Sequence, residues 1–381
     1  MTYLTASYTQ MPTGWRKVFH LNLPLLLLVG AVAALGFLML YSVAEGDFSR
    51  WAEPQMRRFG IGAAAMLVIA FLNIRFWRRL SPLAYIVGIG LLVAVALIGE
   101  EGKGAQRWID TGFMRLQPSE LMKVALVMML AWYYDLLPPE RVSRPFWVIL
   151  PLIIIAIPTG MVLQQPDLGT ALLLIMAGGV MMFLAGVSYW YFGFAIVSGI
   201  GTIAAVFLTR GTEWQVLKDY QYRRIETFLD PSLDPLGAGY HITQSKIALG
   251  SGGLSGRGFM QGTQSQLNFL PEKHTDFIFT TYAEEYGFVG SIALLVLYAL
   301  IVVFAYASAL SNRHRYGSLL TSGLATTFFF YFAINMAMVM GLAPVVGVPL
   351  PLISWGGSAM LALMGAFGLI QSAHIHRIRG Q

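Results

Sequence analysis

The sequence predicts an all-α integral membrane protein of about ten transmembrane helices, with one large extracytoplasmic loop between the seventh and the eighth. Three observations carry that expectation. Charged residues make up only 12% of the chain, against about 25% in soluble domains, too few to cover a soluble surface but enough for one that faces lipid. Apolar types reach 56% and fall in runs near the roughly 20 residues a helix needs to cross a bilayer. The stretches between the runs are short, with one exception.

The runs lie at 22–42, 58–73, 81–98, 119–136, 147–164, 168–186, 188–208, 276–309, 318–342 and 355–374. The chain up to His20 is polar and carries Arg16 and Lys17. The long run after it therefore reads as a retained first helix rather than a cleaved signal. The sixth and seventh runs are parted only by a tight turn at Gly186 to Ser188. The whole of 1–381 reads as a single polytopic domain.

The formal net charge is +6. The basic residues lie between apolar runs, as membrane flanks do, so nucleic acid is not an expected partner and membrane lipids are. There are no cysteines, which excludes disulfides and thiolate metal sites. Arg16 and Lys17, Arg75, Arg78 and Arg79, Arg141 and Arg144, Arg313 and Arg315, and Arg377 and Arg379 all fall on one side of the alternating runs. The positive-inside bias places that side, with both termini, in the cytoplasm. The opposite side also holds Arg50, Arg57, Arg58, Lys103, Arg107 and Arg115, but the loop 343–354 has no basic residue.

The exception to short loops is 209–275, an outward segment rich in glycine that carries Arg223, Arg224, Lys246, Arg257 and Lys273. A loop this long is uncommon unless functional or disordered. Within it, 240–249 is expected to form a short helix stopped by Gly250.

The chemistry is expected on the outer side. About 34 residues run from Asp276 to Ala309, too many for one crossing, so Asp276 should stand at headgroup depth above Glu284 and Glu285. On that helix Asp276, Thr280 and Glu284 share one face at i, i+4 and i+8. The structural alternative makes Asp276 a charge stabilising a helix start. Lys273 and His274 immediately precede it.

The loop 99–118 holds Lys103, Gln106, Arg107, Trp108 and Arg115, and leads through Pro118, suited to a first helical turn, to Glu120 and Lys123. Ionisable residues inside a span are functional or paired for structure, and here either a substrate contact or an internal ion pair is open. Asp167 is placed as an N-cap. The loop 341–358, with Pro344, Pro349 and Pro351, suggests a rigid or re-entrant segment. Polar groups thus gather at the outer ends of helices four, six and eight, whereas transporters place sites near the midplane.

Three motif classes are missing. No phosphate-binding G-x-x-x-x-G-K-[ST] exists. None of the lysines has a serine three residues before it, so no S-x-x-K acyl-transfer site is present. No histidine spacing suggests zinc.

The outer motifs resemble the SEDS family (shape, elongation, division, sporulation). They are GAQRWI at 104–109, QPSELMK at 117–123, QPDLGT at 165–170, 224–231, GYHITQSKIALG at 239–250, 252–261, LPEKHTDFIF at 270–279, AEE at 283–285 and GVPLPLISWGGS at 347–358. The run 344–351 and the short tails look more like its elongation branch than its division branch. Trp355 stands where the family more often has tyrosine.

The resemblance implies a peptidoglycan glycosyltransferase acting on lipid II, a disaccharide-pentapeptide on undecaprenyl diphosphate. It implies Asp276 as the essential acidic residue, matches Trp108 and Lys123 to positions implicated in activity, and puts Glu120, Asp167 and Lys246 in the polar cavity. It also implies a class B penicillin-binding protein as partner, in keeping with the missing S-x-x-K, and a divalent metal, Mg or Mn, for which this sequence shows no ligand set.

In that reaction Asp276 would be the general base, taking the proton of a sugar hydroxyl as the bond forms. Arg107, Lys123, Arg223, Arg224 or Lys246 would stabilise the leaving diphosphate, with Lys273 beside the base. One base and no carboxylate nucleophile suggests a single inverting step. A lipid II flippase and a non-catalytic scaffold for a penicillin-binding protein are the competing expectations.

Overall fold

The computed structural model describes residues 14–377 except 103, 104, 111, 113, 114, most of 210–237 and 264–271. Arg223, Arg224 and Lys103 lie outside the described residues.

Ten helices of 18 or more residues form the bundle among the described residues, all near the expected runs. They are α1 (Leu23–Val43), α2 (Ala52–Phe71), α3 (Ile74–Ile98), α4 (Pro118–Leu136), α5 (Pro145–Gln164), α6 (Leu168–Ala185) and α7 (Tyr189–Leu208). A short α8 (Ala238–Ser251) precedes α9 (Ile278–Leu310), α10 (Arg315–Val339) and α11 (Gly357–Ile375). Eight are long and apolar enough to cross a membrane. The other two, α2 and α4, are diluted by Arg57 and Arg58 and by Glu120, Lys123 and Asp135.

Local chemistry sets the boundaries. Pro118 opens α4 at its first position, where a missing N–H is harmless. Asp167 caps α6, accepting from the Thr170 amide at 3.1 Å. Gly186 ends α6 in the left-handed region at φ 95°. Between α3 and α4 the chain makes a small antiparallel sheet, β1 (Glu100–Gly102), β2 (Ala105–Asp110) and β3 (Arg115–Leu116), in the order β1-β2-β3.

Because the long helices alternate in direction, their ends meet at two levels. At the end holding both termini, Asn22 pairs with Gln371 and Ser308, Lys17 donates to the Phe71 carbonyl, and Arg315 to that of Leu137. We call this the terminal end. The opposite, loop end carries β1–β3, α8 and the segments 44–51, 272–277 and 340–356.

Helix α9 corrects the expectation of one overlong span. It is broken at Gly287, with φ 66° and ψ −161°, a conformation open to glycine and strained for other residues. The segment 252–258 fills the break. The Arg257 and Gly258 amides donate to the carbonyls of Glu284 and Glu285, both at 3.0 Å, and those of Phe288 and Val289 donate to Gly253 and Leu254 at 2.9 and 3.1 Å. Backbone groups freed at membrane depth must find partners within the protein, and this glycine-rich loop supplies them.

Asp276 lies before the helix, not on it, so Asp276, Thr280 and Glu284 do not share a face. Thr280 is wholly buried against Ser245 at 2.8 Å. Glu284 is buried too, turned to Ser251 and Thr263 at 3.3 and 3.0 Å.

The stretch 340–356 is non-helical and, at 350–354, buried in the bundle. Tyr298 donates to the Pro351 carbonyl at 2.6 Å and Gln55 to that of Ser354 at 3.0 Å. Its backbone meets α1 at Gly36, where an added Cβ would stand 2.6 Å from the Leu352 oxygen.

Replacing Gly287 with alanine should lower the thermal unfolding temperature in detergent. The positive φ alone costs of the order of 1–3 kcal/mol, and the new Cβ would stand 2.3 Å from the Gly256 nitrogen. An unchanged transition would show that the kink bears no strain.

Candidate active site

Asp276 is held through its main chain from several sides. The Asn335 side-chain amide of α10 donates to the Asp276 carbonyl at 2.8 Å and to that of Val348 at 2.6 Å. The Ser354 hydroxyl donates to the Thr275 carbonyl at 2.6 Å, and the Trp355 amide to that of His274 at 2.9 Å. The carboxylate itself stands beside Gly347, 3.6 Å from where a Cβ there would be. Residue 276 is half-buried and Gly347 exposed, so the acid lies near the surface of the loop end.

The α1–α2 turn braces the same segment. The Trp51 ring stacks on His274 with centroids 4.6 Å apart and planes within 2°. Arg50 covers the Trp51 ring at 4.5 Å. Lys273 is buried and meets Glu45 at 3.4 Å. Burial pushes the Lys273 ammonium below its ordinary pKa, and the Glu45 carboxylate partly restores it. Lys273 therefore serves the turn and reaches Glu45 rather than standing as an open substrate ligand.

A second polar group sits deeper. Lys123 Nζ lies 2.7 Å from Glu120 Oε1, and both side chains are about 95% buried or more. The Tyr331 hydroxyl of α10 meets both, donating to Glu120 Oε2 and receiving from Lys123. The internal ion pair left open by the sequence is thus present, with a tyrosine as third member. Beside it a mostly apolar cavity lies between α4, α10 and α11. Tyr331 and Asn335 are i and i+4 on α10, about 6 Å apart along its axis, so one helix links this triad to the Asp276 segment.

Arg107 of β2 donates to the Gln165 carbonyl at 3.0 Å and also to that of Pro166. Asp167 takes hydrogen bonds from Thr170 Oγ1 at 2.9 Å and Gln117 at 3.2 Å, so it shapes the start of α6. Trp108 is half-buried in β2, opposite Glu100. Lys246 of α8 is exposed and lies over Gly341, its Nζ 2.8 Å from where a Cβ there would be.

All the described candidates therefore lie at the loop end, although the hydrogen bonds fall into separate groups around Asp276, Lys123 and Asp167. Sequence reasoning missed Tyr331 and Asn335, which complete two of them. Their signal was hydrogen-bonding residues inside a span, which are seldom idle.

Fold and site together define a polytopic membrane protein whose polar machinery opens at one end of the bundle. The model of the FtsW/RodA/SpoVE family, described as cell cycle protein, matches residues 21–379. The chain belongs to that family, as the SEDS resemblance led us to expect, and its similarities favour the RodA type. It is 42% identical over 367 residues to the peptidoglycan glycosyltransferase MrdB of Escherichia coli K12, covering 96% of each chain. It superposes with a TM-score of 0.80 and 31% identity on a chain from a peptidoglycan synthase complex that coordinates polymerization and crosslinking, covering 94% of this chain and 99% of that one. The crystal structure of the Thermus thermophilus rod shape determining protein RodA gives 0.71 and 28%, covering 94% and 98%.

Either single replacement, Glu120→Gln or Lys123→Met, should destabilise the fold by about 3–5 kcal/mol, since each strands a buried charge. The double variant should lose less than the sum of the two. Denaturation of all three proteins measures this, and additive losses would show that the pair is uncoupled.

Proposed function

We infer that this chain is a peptidoglycan glycosyltransferase that polymerises lipid II into glycan strands during cell-wall elongation. The family and its named relatives support the reaction. One observation carries the mechanism: Asp276 is the candidate acid whose segment, 274–276, is strapped through its main-chain carbonyls to α10 and to the 354–355 stretch while its side chain reaches the loop-end surface beside Gly347. Such fixing is what a general base needs, because proton transfer requires hydrogen-bond geometry to the substrate hydroxyl.

In this reading the loop end faces outward and both termini lie in the cytoplasm of the inner membrane, as the distribution of Arg and Lys favours. The acceptor's sugar 4-hydroxyl gives its proton to Asp276 and attacks the anomeric carbon of the donor. The bond to the lipid diphosphate breaks with inversion, giving a β-linked product from an α-linked donor. Lys246, exposed at the same end, is the described cation best placed to meet the diphosphate, with Arg223 and Arg224 as further candidates from the sequence. Trp108 offers a ring against which a sugar can pack.

A divalent metal, Mg or Mn, would stabilise the leaving diphosphate. Among the described residues no group of three or more His, Asp or Glu side chains could hold an ion. The residues at hand thus do not form a protein cage, and no step here depends on the ion. A class B penicillin-binding protein would cross-link the strands, a role consistent with the missing S-x-x-K.

Purified Asp276→Asn, assayed with lipid II and its partner and read as polymer on a gel, should lose about 10²–10⁴-fold in rate. Wild-type polymer from the folded variant would remove Asp276 from the mechanism. Polymer from the wild-type protein also separates this reading from a flippase or a scaffold, neither of which forms a glycosidic bond.

A further inference from the structure

At the terminal end, on the far side of the bundle from Asp276, a polar cleft of about 380 Å³ opens between the start of α3, the end of α4 and the start of α10. Ligand sites commonly enclose roughly 300–1,000 Å³. Arg75, Arg78 and Arg79, all in the first turns of α3, line one wall. His314, the N-cap of α10, lines the other.

The charges do not balance. One carboxylate faces the three guanidinium groups, and it is already committed. Asp135 binds Arg78 Nε at 2.6 Å and accepts the Tyr316 amide at 3.0 Å. Arg75 and Arg79 are exposed, and neither guanidinium has an ion pair or hydrogen bond among the described residues. They stand at i and i+4, where like charges repel.

His314 Nε2 is enclosed and has no hydrogen-bond partner among the described residues, an arrangement that buried polar atoms rarely keep. The N-termini of α3 and α10 both end here, adding partial positive charge. The Arg78–Asp135 bond and the hydrogen bond of Ser81 to Tyr316 at 2.9 Å fix the walls. The cleft is therefore braced, with an excess of cationic groups at its mouth.

We propose that this cleft binds a phosphate group, with Arg75 and Arg79 as its paired ligands and with Arg78 and His314 as its walls. Planar guanidinium forks match phosphate oxygens two at a time. The cleft lies at the level where helices leave the bundle, so the phosphate can come from an anionic phospholipid headgroup or from solution. The site would tether the α3, α4 and α10 ends and is independent of the polymerase reading.

The test uses the full chain in neutral detergent, as wild type and as Arg75→Gln/Arg79→Gln. Neither residue has a partner to lose among the described residues, so the double variant should fold with an unchanged basal unfolding temperature. Phosphatidylglycerol, phosphatidylcholine or inorganic phosphate is added, with unfolding temperature and bound lipid by native mass spectrometry as readouts. Phosphatidylglycerol should raise the wild-type transition and be retained, phosphatidylcholine should do neither, and the variant should lose both responses.

An equal shift with inorganic phosphate alone would assign the site to a soluble phosphate, and Arg75→Lys/Arg79→Lys should keep part of either response. The proposal is overturned if neither phosphatidylglycerol nor phosphate affects the wild type, or if the glutamine variant responds as the wild type does.

Discussion

A single side chain, Asn335, ties together two of the places where the loop end departs from helix, the Asp276 segment and the stretch at Val348. Its amide donates to the carbonyls of Asp276 and Val348 at 2.8 and 2.6 Å. Without it, the buried carbonyl of Val348 and the partly buried one of Asp276 would lose a partner each, at a cost of about 1–3 kcal/mol for a buried group. The constraint is general for a protein in lipid, where irregular backbone persists only if the protein satisfies it. Here the satisfied segments are the ones that carry the candidate base and the loop facing it. Geometry useful for chemistry thus follows from a requirement of stability.

The same logic explains the buried ion pair. Burying Glu120 and Lys123 in a span is unfavourable unless each charge is met from several directions. Tyr331 meets both, and it sits one turn from Asn335. A change in the triad should therefore be felt at the Asp276 segment through α10, with no direct contact between the two acids. The Trp51–His274 stack and the Lys273–Glu45 pair act on the other side of that segment, so Asp276 is positioned by packing from both flanks.

Much of this was legible in the sequence. The ten spans, the proline at the start of α4, the Asp167 cap and the Gly186 turn all follow from local rules, and local rules are what a single sequence records. The expected short helix at 240–249 is α8, and the proline-rich 341–358 is the non-helical stretch that leads into α11, buried at 350–354. The break at Gly287 was not legible. One glycine in an apolar run leaves the run intact, and its role depends on a loop some 30 residues earlier in the chain that donates to the freed carbonyls. A helix read as continuous then put Asp276 on a face with Thr280 and Glu284. Tyr331 and Asn335 were hidden for a related reason: their partners come from α4 and from the segment before α9, and only the packed bundle brings these together.

The two ends of the bundle use charge in opposite ways. At the terminal end, three cations are spent at helix C-termini: Lys17 on the Phe71 carbonyl, Arg315 on that of Leu137, and Arg78 on Asp135 at the end of α4. Each placement agrees with the negative pole of a helix dipole, so these residues fix where helices stop. At the loop end, charge serves segments that are not helical at all. Arg107 holds the α5–α6 turn, Lys273 the α1–α2 turn, and Arg257, 4.0 Å from Glu284, the loop that fills the kink. A terminal end fixed at its helix stops and a loop end built of braced, non-helical pieces suit a protein that must hold still in lipid while admitting a large polar substrate at one face. Stiffness is supplied where the bundle closes, and irregular backbone is confined to the end where the substrate is expected to enter.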